Sequence, residues 1–242
     1  MRAFDVGVID GIKLAAERDE ALNEGEARKA LLYGGAGMIG GSAATKGIAL
    51  SLKPSSAKWN ESDAQRMMQH MKLKNVDVNA RPGMHAAISH MDVEHGTNRP
   101  FVVVPAHHGP ELLAHELGHV SRKGRSAAGF HAQNRIVRGA LPIAGAIGGT
   151  AMALKGKRGS WTTRLAPAVA FGSHVPTLVS EGRASIRGYK ALKALGKYTP
   201  SELRGSRRNL IKAFSTYGLG ALASTAPAAA IAAMRWKKKK ED

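Results

Sequence analysis

Three stretches in the second half of the chain, Gly139–Leu154, Leu165–Ser180 and Ala213–Trp236, consist mostly of alanine, glycine and aliphatic residues, and Arg235 is the one charge among them. Sequences of this kind fold as hydrophobic helices, and they commit the chain to a mainly helical architecture. The first two stretches are sixteen residues long, short of the roughly 20 that span a bilayer, and Pro142, Pro167, Pro176 and His174 interrupt them. Two arrangements compete: a tight membrane hairpin, or helices buried against other protein. Flanking Arg, Lys and Trp residues favour the membrane, because those side chains anchor helices at a lipid interface. The basic run Lys237–Lys240 closes the third stretch as a stop.

Charge follows the same division. The 242 residues carry a formal +18, distributed as −2 over residues 1–29, +1 over 30–119, +9 over 120–180 and +10 over 181–242. The basic half is also the apolar half, which points to an anionic membrane surface before nucleic acid. Aromatic residues are 5% of the chain, too sparse for a base-stacking platform, so nucleic acid is not the expected partner. With no cysteine, disulfides, iron–sulfur clusters and thiol catalysis are excluded, and a tightly held transition metal must use His and carboxylates. Residues 1–29 are rich in Asp and Glu and lack a central apolar run, so they are expected to form an amphipathic acidic arm and not a secretory signal.

Between these regions the pattern is mixed. Residues 30–53 are apolar and small, and Gly35, Gly37 and Gly40 match a dinucleotide-binding fingerprint in letters. No strand precedes them and no acidic residue closes a βαβ unit, so close helix packing is the expected use of these glycines. Asn60 caps a surface helix reaching Lys72, Asn75–Ala80 alternates as a strand, and Arg81-Pro82-Gly83 turns the chain. Phe101–Pro105 is a β-branched run, read as a buried or edge strand. Pro110 then opens a helix that continues to Lys123, and Gly124 can close it.

That helix holds the chemistry. His115 and His119 are four residues apart, which puts both imidazoles on one helical face, one turn above each other, as a pair able to grip a zinc ion. Glu116, rotated by about 100 degrees, can take a proton from a water activated by the metal without being a good ligand itself. Gly118 leaves space beside the metal, and Leu112, Leu113, Leu117 and Val120 supply an apolar face. A β-branched strand just before such a helix is also an arrangement in which an edge strand binds extended substrate. Two histidines leave the site short of one protein ligand. The candidates are His131, Glu181 and a histidine of the 85–95 loop. His131 lies twelve residues after His119, and Arg125 stands where a metzincin would place its third histidine. Glu181 is preferred, as a carboxylate at the start of a basic helix among Arg183 and Arg187. His107 and His108 could position substrate, and His174 or Tyr189 could approach a developing oxyanion, although a surface or hydrogen-bonding role is commoner for a histidine.

From about Val76 to Lys193 the chain resembles the membrane-associated neutral zinc metallopeptidases of the YugP type, and more distantly the HtpX-like peptidases. The matching parts are His115-Glu-Leu-Gly-His119, the Arg138-Gly-Ala-Leu-Pro142 entry to a hydrophobic hairpin, and Glu181-Gly-Arg-Ala-Ser-Ile-Arg187. The resemblance implies an α+β zincin-like core with one zinc ion on His115, His119 and Glu181, Glu116 as general base, and a protein or peptide substrate. The expected organisation is an arm (1–29), a Gly/Ala-rich helix (30–53), the metallopeptidase core (54–135), a hydrophobic helical hairpin (136–180), a basic helical region with the third ligand (181–212), and a hydrophobic helix with a basic tail (213–242). Gly182 stands where the family carries a bulky apolar residue. The expected location is the cytoplasmic membrane. The alternative is a phage virion or membrane-inserting structural protein whose metallopeptidase domain is vestigial or directed at the cell envelope.

Overall fold

A computed structural model describes residues 24–50, 58–81, 88–92, 99–105, 109–120, 135–156 and 159–238. The acidic arm up to residue 23, the turn at Pro82-Gly83, Gly124, and the histidines at 85, 95, 107, 108 and 131 lie outside them. The chain is mostly helical with one small sheet: α1 (Glu24–Leu50), α2 (Glu61–His70), β1 (Asp77–Arg81), β2 (Ile88–Asp92), β3 (Arg99–Pro105), α3 (Pro110–Val120), α4 (Arg135–Lys155), α5 (Trp161–Gly172), α6 (Val175–Ala194) and α7 (Pro200–Lys238).

These elements form two compact units. The α/β unit holds α2, the sheet, α3, most of α6 and the first part of α7. Its helix α2 begins where expected. The Asn60 side chain accepts from the Asp63 amide while the Asp63 carboxylate accepts from the Asn60 amide, a reciprocal capping box. Lys72 and Asn75 both sit at φ 56°, in the left-handed region. The helix therefore ends at His70, and the strand starts at Asp77 instead of Asn75. The sheet order is β1-β3-β2, with β1 parallel to β3 (Asp77 opposite Phe101) and β2 antiparallel to it (Ile88 opposite Val103). The run Phe101–Pro105 thus lies in the central strand, which is why Val102, Val103 and Val104 are all buried. Because β3 is paired on both sides, it offers no edge to an extended peptide; the edges belong to β1 and β2. Val102 and Val104 share a core with Met67 of α2, Leu113, Ala114 and Leu117 of α3, and Ala191 and Leu192 of α6.

The helical unit holds α1, α4, α5 and the last part of α7. Small residues join its helices. A Cβ on Gly37 would lie 2.6 Å from Ala226 Cβ, and one on Gly41 would lie 2.4 Å from Ala223 Cβ. The Gly-rich segment is therefore a helix seam against α7, and a continuous helix through Gly35–Gly40 leaves no phosphate-binding loop. Likewise α4 meets α5 where a Cβ on Gly149 would lie 2.6 Å from the Ala166 carbonyl oxygen. The Leu165–Ser180 stretch does not form one helix. It breaks between Gly172 and Val175, since Pro176 lacks the N–H that a continuous helix would use and its ring disfavours helix just before it. The hairpin is accordingly α4–α5, and residues 175–180 start the next helix. Of the described helices, Pro200–Trp236 is the one long and apolar enough to cross a membrane.

Candidate metal centre

The centre lies within the α/β unit, where α3 crosses α6. Two glycines set the closeness of that crossing. A Cβ on Gly118 would fall 2.5 Å from the Ala184 carbonyl oxygen, and one on Gly188 would fall 2.8 Å from the Ala114 carbonyl carbon. Gly118 thus makes room for the backbone of α6, not for the metal. On α6, Glu181, Ala184, Ser185 and Gly188 all face α3, a stripe at spacings of three and four that identifies one helical face.

Glu181 reaches the histidines from that stripe. Its Oε2 lies 3.1 Å from His115 Nε2 and 3.4 Å from His119 Nε2, and the two Nε2 atoms are 3.1 Å apart. Glu181 is 1% exposed and each histidine 9%. Two metal–nitrogen bonds of 2.0–2.1 Å meeting at a tetrahedral angle place their nitrogens about 3.3 Å apart. The observed triangle has nearly that edge, so the three residues could hold one small divalent ion. The donor chemistry agrees. Ser185 Oγ lies 3.2 Å from His115 Nδ1 and Ser180 Oγ 3.5 Å from His119 Nδ1. With each imidazole proton on Nδ1, facing a serine, both Nε2 lone pairs point at a carboxylate oxygen that can only accept. Three converging acceptors in a largely buried site repel one another unless a cation sits among them.

The sequence pattern predicts Glu181 at the start of a helix, with Arg183 and Arg187 as neighbours. The structure instead puts it well inside α6, because the helix begins at Val175. Arg187 turns elsewhere and donates to the Gly118 carbonyl at 3.4 Å, satisfying one of the last carbonyls of α3. Burial, and then repulsion from Arg183, loosen its proton. The carboxylate is therefore held by position on a helical face rather than by a helix dipole. Glu116 follows His115 on α3 and is half-buried. Of the oxyanion candidates, His174 belongs to the helical unit, where its Nε2 is hydrogen-bonded to Ser224. The competing third ligands, His131 and the histidines at 85 and 95, lie outside the described residues, as does the side chain of His90.

Two features escaped the sequence reading: the serines behind the histidines, and the glycines that set the crossing. Ser185 is one helical turn after Glu181 and Gly188 one turn after Ala184, so a helix continued back through Val175 would have aligned all four. Neither a family model, nor a curated protein, nor a solved structure matches this chain.

Proposed function

We propose that this chain is a membrane-associated, zinc-dependent endopeptidase with a zincin-like core, as its resemblance to the YugP-type peptidases implies. The observation that carries the reading is the triangle of His115 Nε2, His119 Nε2 and Glu181 Oε2, with edges of 3.1–3.4 Å and supplied by two helices, Glu181 lying 66 residues after His115. Zinc bound there would act as a Lewis acid, lowering the pKa of water and polarising a peptide carbonyl. The chain's own residues divide the remaining work. His115, His119 and Glu181 would hold the ion, and Ser185 and Ser180 fix the imidazole orientations so that Nε2 stays available. Glu116 is the general base: it takes a proton from the attacking water and returns it to the leaving amine. An extended substrate would pair with β1 or β2, the edges of the sheet among the described residues, since β3 is occupied on both sides.

The test is metal content and proteolysis measured on the same preparation. Wild-type protein is expected to hold one zinc per chain and to cleave an unfolded protein substrate, while Glu116→Gln keeps the zinc and loses cleavage. Purified, folded protein that takes up no zinc would overturn the assignment. Zinc bound by a wild-type chain that cleaves nothing, with vesicle binding that survives His115→Ala, would favour the structural, membrane-inserting alternative.

A further inference from the structure

Much of the helical unit reverses the pattern of a protein folded in water. Its helix seams are lined by glycine and alanine: Gly37 and Gly41 of α1 against Ala226 and Ala223 of α7, and Gly149 of α4 against Ala166 and Ala170 of α5. Leu154 and Ile231 are buried at one end of the unit, but many of its other large aliphatic side chains face outward. Ile39 is 73% exposed, Leu222 59%, Ile143 52% and Ile147 51%, and Leu165 and Val169 are exposed as well. In water the apolar effect would draw these side chains inward and leave the alanines outside. In lipid there is no such drive, and helices associate through small residues that allow close approach. The long apolar helix fits this reading, since only 17% of its most apolar 18-residue window is buried within the protein.

One end of the unit has a different chemistry. Arg235, near the end of α7, donates to the carbonyls of Ala153 and Leu154 at the end of α4. Next to it, Arg164 of α5 lies over the Trp236 ring, with its Cζ 4.0 Å from the ring centroid. Trp161, one turn before Arg164, is 69% exposed, and Lys155 is exposed at the end of α4. Two of the chain's three tryptophans thus share one end with Lys155, Arg164 and Arg235, and residues 120–180 contain no acidic residue at all. Amphipathic rings interleaved with cations at the end of an apolar helix bundle match the headgroup layer of a bilayer.

We infer that the end formed by Trp161, Arg164, Trp236 and Lys155 is a binding surface for anionic phospholipid headgroups, with the apolar flanks of α1, α4, α5 and α7 in contact with acyl chains. The inference rests on the membrane half of the proposed function and is independent of the metal. Each exposed cation at such a surface strengthens binding about fivefold. An aliphatic exterior has no counterpart in nucleic-acid recognition, which would need its cations without the surrounding isoleucine and leucine.

The experiment uses the full chain in a Trp59→Phe background, so that Trp161 and Trp236 alone report. Flotation is compared on vesicles of phosphatidylcholine and on vesicles that also contain phosphatidylglycerol. The expected result is tighter binding to the anionic vesicles, weakened about 25-fold by Lys155→Gln combined with Arg164→Gln, and tryptophan emission quenched by lipids brominated near the headgroup. Both substituted residues are exposed, so helicity by circular dichroism should be unchanged. The inference is overturned by equal binding to the two vesicles, by an unchanged affinity of the double variant, by quenching from aqueous iodide alone, by displacement with duplex DNA, or by a self-associated species that leaves the vesicles untouched. Zinc measured on the same samples separates the two readings. Metal-free protein that still binds anionic vesicles sinks the peptidase and leaves the lipid surface standing, and the converse result does the opposite.

Discussion

Replacing Gly118 with alanine should damage the metal centre without touching any ligand. The added methyl would lie 2.5 Å from the Ala184 carbonyl oxygen, 2.9 Å from its Cα and 3.0 Å from its carbonyl carbon. All three are backbone atoms, so no side chain can rotate away. Restoring ordinary contact requires α3 and α6 to separate by about 1 Å, at a cost of roughly 1–3 kcal/mol in stability. Glu181 is one turn from Ala184 on the same helix and moves with it. Zinc bonds tolerate about 0.2 Å, so the carboxylate leaves bonding range. Dividing the roughly 10–16 kcal/mol of a four-ligand structural site among its ligands gives about 3 kcal/mol for one of them, or about 100-fold in affinity. The assay is zinc titration against a competing chromogenic chelator, with helicity recorded in parallel. Gly182→Ala is the control, because its methyl would meet only the Phe214 ring, at 3.4–4.0 Å, and it should bind zinc like wild type. Folded Gly118→Ala protein with undiminished zinc affinity would refute both the helix crossing and the role of Glu181 that depends on it.

Glu181→Ala should weaken zinc affinity at neutral pH by at least the same 100-fold or so while leaving the α/β core folded; undiminished affinity in that variant would assign the third ligand elsewhere. Ser185→Ala should weaken zinc affinity by roughly 10–100-fold, with Ser185→Thr restoring most of it, and the d–d spectrum of the cobalt-substituted protein would register the altered His115 orientation. If zinc binds the folded state as proposed, chelator should lower the thermal midpoint, by an amount equal to RT ln(1 + [Zn]/Kd) in free energy; a midpoint indifferent to chelator would show that no metal contributes to the fold. Asn60→Ala removes the capping acceptor of α2 and should cost about 1 kcal/mol, read by urea unfolding, with no change in zinc affinity.

The sequence by itself determined the local features. Two histidines four apart on a helix must share a face, whatever surrounds them. Asn60 with Asp63 writes its own cap, and the alanine- and glycine-rich stretches admit little besides helix. What it left open were the pairings between distant segments. The valine run read equally as a buried or an edge strand until β1 and β2 took its two sides. The sequence sets Glu181 at a helix start, whereas Pro176, which ends one helix, also begins the next, and where a helix starts decides which residues share a stripe. Only the tertiary structure brought Glu181, Ser185 and Gly188 against His115 and Gly118. The reason is steric: two backbones approach within contact distance at residues without side chains, and nothing along the chain says which glycine will face which alanine.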